Sequence, residues 1–142
     1  MPAASRTVMI SRPPSDVFAF VADGTTAPQW RPGVLDVALV SGSGAGARYR
    51  QGLAGPGGRR VDADYEVTAY EPGRRIAFRT VAGPVRPTGE YRFEETPDGT
   101  KLTFSITADL GFPKSLLMGG AVQRSMDGAM ASLDKVKAIL EA

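Results

Sequence analysis

Lys101-Leu102-Thr103-Phe104-Ser105-Ile106-Thr107-Ala108-Asp109 alternates apolar and polar residues along its whole length. Leu102, Phe104, Ile106 and Ala108 share one face, and Thr103, Ser105, Thr107 and Asp109 the other, which is the period of a half-buried strand. Shortly afterwards the period changes. Between Lys114 and Glu141, Met118, Val122, Met126, Ala129, Leu133, Val136 and Leu140 recur at spacings of four and three, the pattern of an amphipathic helix. Helical throughout, that segment would run for about 42 Å. An apolar stripe of that length needs an apolar surface of similar extent, and a sheet dry on one face supplies it.

The same alternation extends upstream. Candidate strands cover Val34–Val40, Ala47–Leu53, Val61–Tyr70, Arg75–Val81, Gly89–Glu95 and Lys101–Asp109. Gly- and Pro-rich clusters separate them: Ser41-Gly42-Ser43-Gly44, Gly55-Pro56-Gly57-Gly58, Glu71-Pro72-Gly73 and Pro97-Asp98-Gly99. The last two are short enough for antiparallel hairpins. Tyr91 and Phe93 oppose Glu90, Arg92 and Glu94, while Ile76, Phe78 and Thr80 oppose Arg75 and Arg79. One side of the sheet is therefore dry and the other wet. A further short strand, Thr7–Ser11, opens the chain. A helix begins at Pro14 or Ser15, where proline costs no hydrogen bond and Asp16 faces the positive helix end. Its apolar residues Val17, Phe18, Phe20 and Val21 stop at Asp23-Gly24, which reads as a glycine terminator. A second short turn, Thr25 to Trp30, follows. The expected order is strand, two short helices, six strands and a long helix: one α+β domain over residues 1–142.

Composition removes much chemistry. The 142 residues contain no Cys and no His, which excludes disulfides, thiolate nucleophiles, Ser-His-Asp triads and ordinary zinc sites. Any metal would need oxygen ligands, and no metal or cofactor is expected. Seventeen Lys+Arg against fifteen Asp+Glu give a net charge of +2. The arginines are scattered among acidic residues rather than gathered in a basic stripe, so nucleic acid is not expected as a partner. No apolar run approaches a membrane span and no signal-peptide core precedes Ser11, so the expected location is the cytoplasm. Oligomeric state, monomer or homodimer, is not readable.

Particular residues carry a resemblance. Ile10-Ser11-Arg12-Pro13-Pro14-Ser15-Asp16-Val17-Phe18 joins strand, proline and helix start, and Asp23 leads through Pro28-Gln29-Trp30-Arg31-Pro32-Gly33. Tyr65-Glu66-Val67 leads to Glu71-Pro72-Gly73-Arg74-Arg75-Ile76, and Tyr91-Arg92-Phe93 to Asp98-Gly99-Thr100-Lys101-Leu102. In this order they resemble the START-like superfamily in its polyketide cyclase/dehydrase (SRPBCC) branch, over essentially the whole chain. The resemblance implies a helix-grip fold: a curved antiparallel sheet of about seven strands around a long C-terminal helix. It also implies a cavity between them for a hydrophobic small molecule.

The residues bear on that cavity independently. The helix stripe is lean, with Gly119, Gly120, Ala121, Ser125, Gly128 and Ala129 interspersed. Glycine inside a helix costs about 1 kcal/mol relative to alanine, which close backbone approach or room for a guest would offset. Alternatively, Gly119-Gly120 lies in a loop before a shorter helix. Tyr49, Gln51, Tyr65, Thr80 and Tyr91 point to the dry side, and buried polar groups need partners, which neighbours, water or ligand oxygens supply. Phe78, Phe93 and Phe104 share that side, and Met118, Val122 and Met126 face it from the helix, with thioethers suited to an adaptable wall. Trp30, the only tryptophan, is a cavity-mouth residue or a packing anchor. These twelve side chains are the candidate ligand-binding set.

Three activities fit this reading. The first is a carrier of a polyketide- or lipid-like molecule. The second is a cyclase or dehydratase acting by cavity shape and Tyr/Arg hydrogen bonding, as the resemblance implies. It requires at least two of Tyr49, Tyr65, Arg79 and Tyr91 to converge. Arg79 is a surface charge unless the face assignment is off by one residue, and Glu95 and Asp109 read as solvated strand-end carboxylates. No fixed catalytic motif is present. The third is a structural partner protein exposing an apolar patch, which the charged outer strand faces disfavour.

Overall fold

A computed structural model describes residues 3–83, 86–108, 123–124 and 126–142. Strand β1 (Ala3–Ile10) leads into α1 (Pro14–Ala22) and a 3-10 helix (Gly24–Gln29). Then come β2 (Val34–Ser41), β3 (Arg48–Ala54), β4 (Arg60–Asp62), β5 (Tyr65–Glu71), β6 (Arg75–Thr80), β7 (Thr88–Thr96) and β8 (Gly99–Thr107), and the chain ends in α2 (Leu133–Glu141). The strands form one curved sheet ordered β1-β8-β7-β6-β5-β3-β2, with β4 beside β3. Every pairing is antiparallel.

Hairpin chemistry sets the sequential pairs. Between β5 and β6 the Arg74 N–H donates to the Glu71 carbonyl at 2.9 Å, and Gly73 takes φ 74°, a conformation that suits glycine. The first strand pairs with the last, from Ala3 opposite Thr107 to Ile10 opposite Thr100. Val8, Ile10, Leu102, Phe104, Ile106, Tyr91 and Phe93 thereby turn to one face. They form a single cluster with Val17 and Phe18 of α1 and with Met126, Met130, Leu133 and Val136 from the C-terminal segment. The outer face carries the expected charges: Glu66 bridges Arg48 and Arg79, and Glu90 bridges Arg75 and Arg92.

Three expectations need correction. The segment Val61–Tyr70 is two strands, giving eight in all. At the break, Ala63 N–H donates to the Gln51 carbonyl at 2.8 Å and Val81 N–H to the Asp64 carbonyl at 2.7 Å, while the Asp64 carboxylate takes the Gln51 N–H at 3.1 Å. Gly24 is not a left-handed terminator, since its φ is not positive. It is glycine because a Cβ would overlap the Tyr65 hydroxyl and lie 2.8 Å from Cε1 of Tyr49. The C-terminal rod carries a local irregularity, although Ser132 keeps right-handed helical backbone angles (φ −63°, ψ −21°). Helical residues 126–131 meet a turn at Ser132 before α2, where Ser132 Oγ donates to the Ala129 carbonyl, a local bond that bends helices. The question of Gly119-Gly120, and the positions of Met118, Val122 and Asp109, lie outside the described residues.

From that turn α2 is tied to β1 and the loop after it. Arg6 grips Asp134 at 2.8 and 2.9 Å, Ser11 N–H donates to Glu141 at 2.8 Å, and Lys137 donates to the Met9 carbonyl at 2.7 Å.

Candidate functional site

α2 is fixed at the β1 edge of the sheet, away from the β3–β6 end of its dry face. A cavity of about 370 Å³ lies there, lined from β3 through β8, from α1 and the 3-10 helix, and by Met126 and Ala129. Most of its wall is apolar: Val21, Ala27, Leu53, Val67, Ile76 and Ile106 contribute. The exposed lining residues Ala54 and Asp62 put its rim at the β3–β4 hairpin.

The polar groups on this wall are few. Tyr65 and Tyr91 both line it, and neither phenol has a hydrogen-bond partner among the described residues. Burial holds both phenols protonated: it pushes Tyr91 up to about 12 and Tyr65 well above the ordinary tyrosine range, with the Arg31 charge opposing each. At neutral pH both are therefore donors rather than bases. Thr80, 5% exposed, adds a hydroxyl. Gln51, 4% exposed, donates Nε2–H to the Ala63 carbonyl at 3.1 Å, and its Oε1 has no partner among the described residues. Arg31 and Asp62 are the charged groups on the described lining. No group of three or more Asp or Glu able to hold a metal occurs among the described residues.

Trp30 takes the packing-anchor reading rather than the cavity-mouth one. It is 2% exposed, its Nε1–H donates to Thr26 Oγ1 at 3.1 Å, and its ring meets Tyr91 edge-on at 6.1 Å. It also lines the cavity. An anchor and a wall residue are here the same side chain.

A family model described as polyketide cyclase / dehydrase and lipid transport matches residues 1–139. The chain belongs to this family. Solved structures agree on the fold. The di-domain ARO/CYC StfQ of the steffimycin biosynthetic pathway superposes with a TM-score of 0.79 at 18% identity, covering 98% of this chain and 50% of that one. The di-domain ARO/CYC BexL of the BE-7585A pathway gives 0.77 at 20% identity, over 99% and 50%. The protein TTHA0849 of Thermus thermophilus gives 0.77 at 23% identity, over 96% and 94%. Among curated proteins no sequence match is found.

Within this polyketide cyclase/dehydrase fold, seven of the twelve predicted residues line the cavity: Trp30, Gln51, Tyr65, Phe78, Thr80, Tyr91 and Met126. Tyr49, Phe93 and Phe104 do not. Tyr49 stacks behind Tyr65 at 4.9 Å. Phe104, fully buried, stacks on Tyr91 at 4.1 Å, and Phe93 meets Phe18 edge-on at 5.2 Å. They are inward-facing but spend their area on neighbours. Arg79 lies on the outer face, paired with Glu66 at 3.0 Å. Sequence reasoning missed Arg31, although it adjoins Trp30, because a turn residue has no face until its neighbours are placed. It also missed Val61 and Ala63, whose alternation is visible but whose strand boundary is not.

Proposed function

We propose that this protein binds a hydrophobic small molecule, polyketide- or lipid-like, between the sheet and the C-terminal helix. One observation carries the reading: an apolar-walled space of about 370 Å³ containing two protonated phenols without partners among the described residues. Small-molecule sites have this form, a mostly apolar cleft with a few directed polar groups. Native mass spectrometry of the purified protein is expected to recover a bound apolar compound. Titrating an apolar probe is expected to shift Trp30 emission, and Ala129→Phe, which fills the wall from the helix, to abolish that shift while leaving the melting temperature unchanged or raised. An unaltered shift in the Ala129→Phe variant would refute the placement.

A second reading, cyclase or dehydratase activity on such a ligand, is favoured by one feature. Tyr65 and Tyr91, two of the four residues of which this chemistry requires at least two to converge, line the same cavity. Donors aimed at a carbonyl oxygen can stabilise an enolate as charge develops there. On this reading Tyr65→Phe and Tyr91→Phe lower turnover of a poly-ketone substrate without lowering the melting temperature in parallel. Turnover intact in both variants eliminates it.

A further inference from the structure

The two charged side chains on the described lining differ in how they are satisfied. Asp62 is paired with Arg60 and mostly exposed. Arg31 is half-buried and its guanidinium has neither hydrogen bond nor ion pair among the described residues. Its backbone, by contrast, is held on both sides. The Arg31 N–H donates to the Ala27 carbonyl at 2.8 Å, and its own carbonyl accepts from Val34 N–H at 3.3 Å. The preceding Trp30 is locked in the core. A fixed backbone thus presents a planar cation to a mostly apolar chamber, and its field reaches the phenols of Tyr65 and Tyr91.

A guanidinium partly withdrawn from water is stabilised by an anion, and its fork matches a carboxylate with two parallel hydrogen bonds. One such cation balances one negative charge. A phosphate dianion would leave excess charge near Asp62, which already stands on the rim. Building on the ligand-binding reading above, we propose that the natural ligand is a hydrophobic carboxylic acid, with its carboxylate on Arg31 and its apolar body against Phe78, Ile106 and Met126. Tyr65 and Tyr91 then donate to oxygens along that body.

The test compares charged and neutral probes of matched shape by isothermal titration calorimetry: 2-naphthoate with 2-naphthamide, and decanoate with decanol. In the unmodified protein each acid is expected to bind about tenfold more tightly than its neutral counterpart, the scale of one charge-assisted hydrogen-bonded pair. Arg31→Gln is expected to erase that preference while leaving naphthamide and decanol affinity within about twofold, since their apolar contacts are untouched. Arg31→Lys, which keeps the charge without the fork, is expected to retain part of it. Acids binding no better than the neutral probes, or a preference surviving Arg31→Gln, overturns the assignment of Arg31 and leaves the cavity reading intact. Neutral and acidic probes all failing to bind overturns both. The comparison within the unmodified protein decides the matter even if the glutamine variant does not fold.

Discussion

Gly24 stands where the Tyr65 hydroxyl and the Tyr49 ring leave no space for a side chain. Gly24→Ala must displace those rings, and overpacking of this kind costs about 1–3 kcal/mol. A lower urea midpoint with unchanged slope is the expected reading, and an unchanged midpoint would show that the rings move freely. Tyr91 gives a pH-dependent counterpart. Its folded-state pKa is raised by burial to about 12 from an ordinary 10. The stability tied to its proton is therefore complete below about pH 10 and is lost as pH climbs to about 12, some 2–3 kcal/mol at the outside. Tyr91→Phe should lose stability less steeply across that window in urea denaturation, with Tyr65 and Tyr49, raised in the same direction, supplying the slope that remains. At this scale the sequence was partly readable. Alternation gave the inward set, including Gln51 and Thr80, but which of them meet space and which meet Phe18 or Tyr91 depends on three-dimensional neighbours.

The helix–strand joint at the C-terminus contrasts two kinds of contact. Leu133 and Val136 are fully buried against the core, whereas Arg6 and Asp134 are 38% and 59% exposed. Leu133→Ala is expected to cost about 2–5 kcal/mol. A double-mutant cycle on the Arg6–Asp134 pair should return under ~1 kcal/mol, because solvent screens it. A coupling above the cost of Leu133→Ala would reverse that ranking. Strands and hairpins were legible because period two and Pro-Gly turns are local signals. The break between β4 and β5 was not: Val61, Ala63, Tyr65 and Val67 alternate straight through it, so the pattern persists while the ladder stops. The Ser132 turn was hidden for a similar reason, since the apolar stripe continues across it from Met130 to Leu133.

The sheet pairs its first strand with its last across about a hundred residues of chain, which leaves β1 and β2 as its two edges and β8 and β7 inside. Amide exchange should therefore be slowest in β8 and β7, interior strands that sit on the buried cluster. It should be fastest in β2, an edge strand with Leu39 and Val40 more than half exposed. Fast exchange in β8 would contradict this ordering. A ligand that binds only the folded chain adds stability by mass action, about 2.7 kcal/mol at a hundredfold excess over its dissociation constant. A melting temperature that rises with probe concentration is the expected outcome. The fold was readable from element order and the residues of its family pattern, and a cavity was expected from that resemblance and the lean helix stripe, but which inward residues would line it was not, because that depends on neighbours distant in sequence. The rim of that volume is built on β4, three residues paired with β3 and clamped to β2 by Arg60, which donates to both oxygens of Asp36 at 2.8 and 3.0 Å. On so short a ladder the side-chain clamp carries much of the attachment, so Arg60→Gln is expected to speed amide exchange in β4 while leaving β7 and β8 as they were.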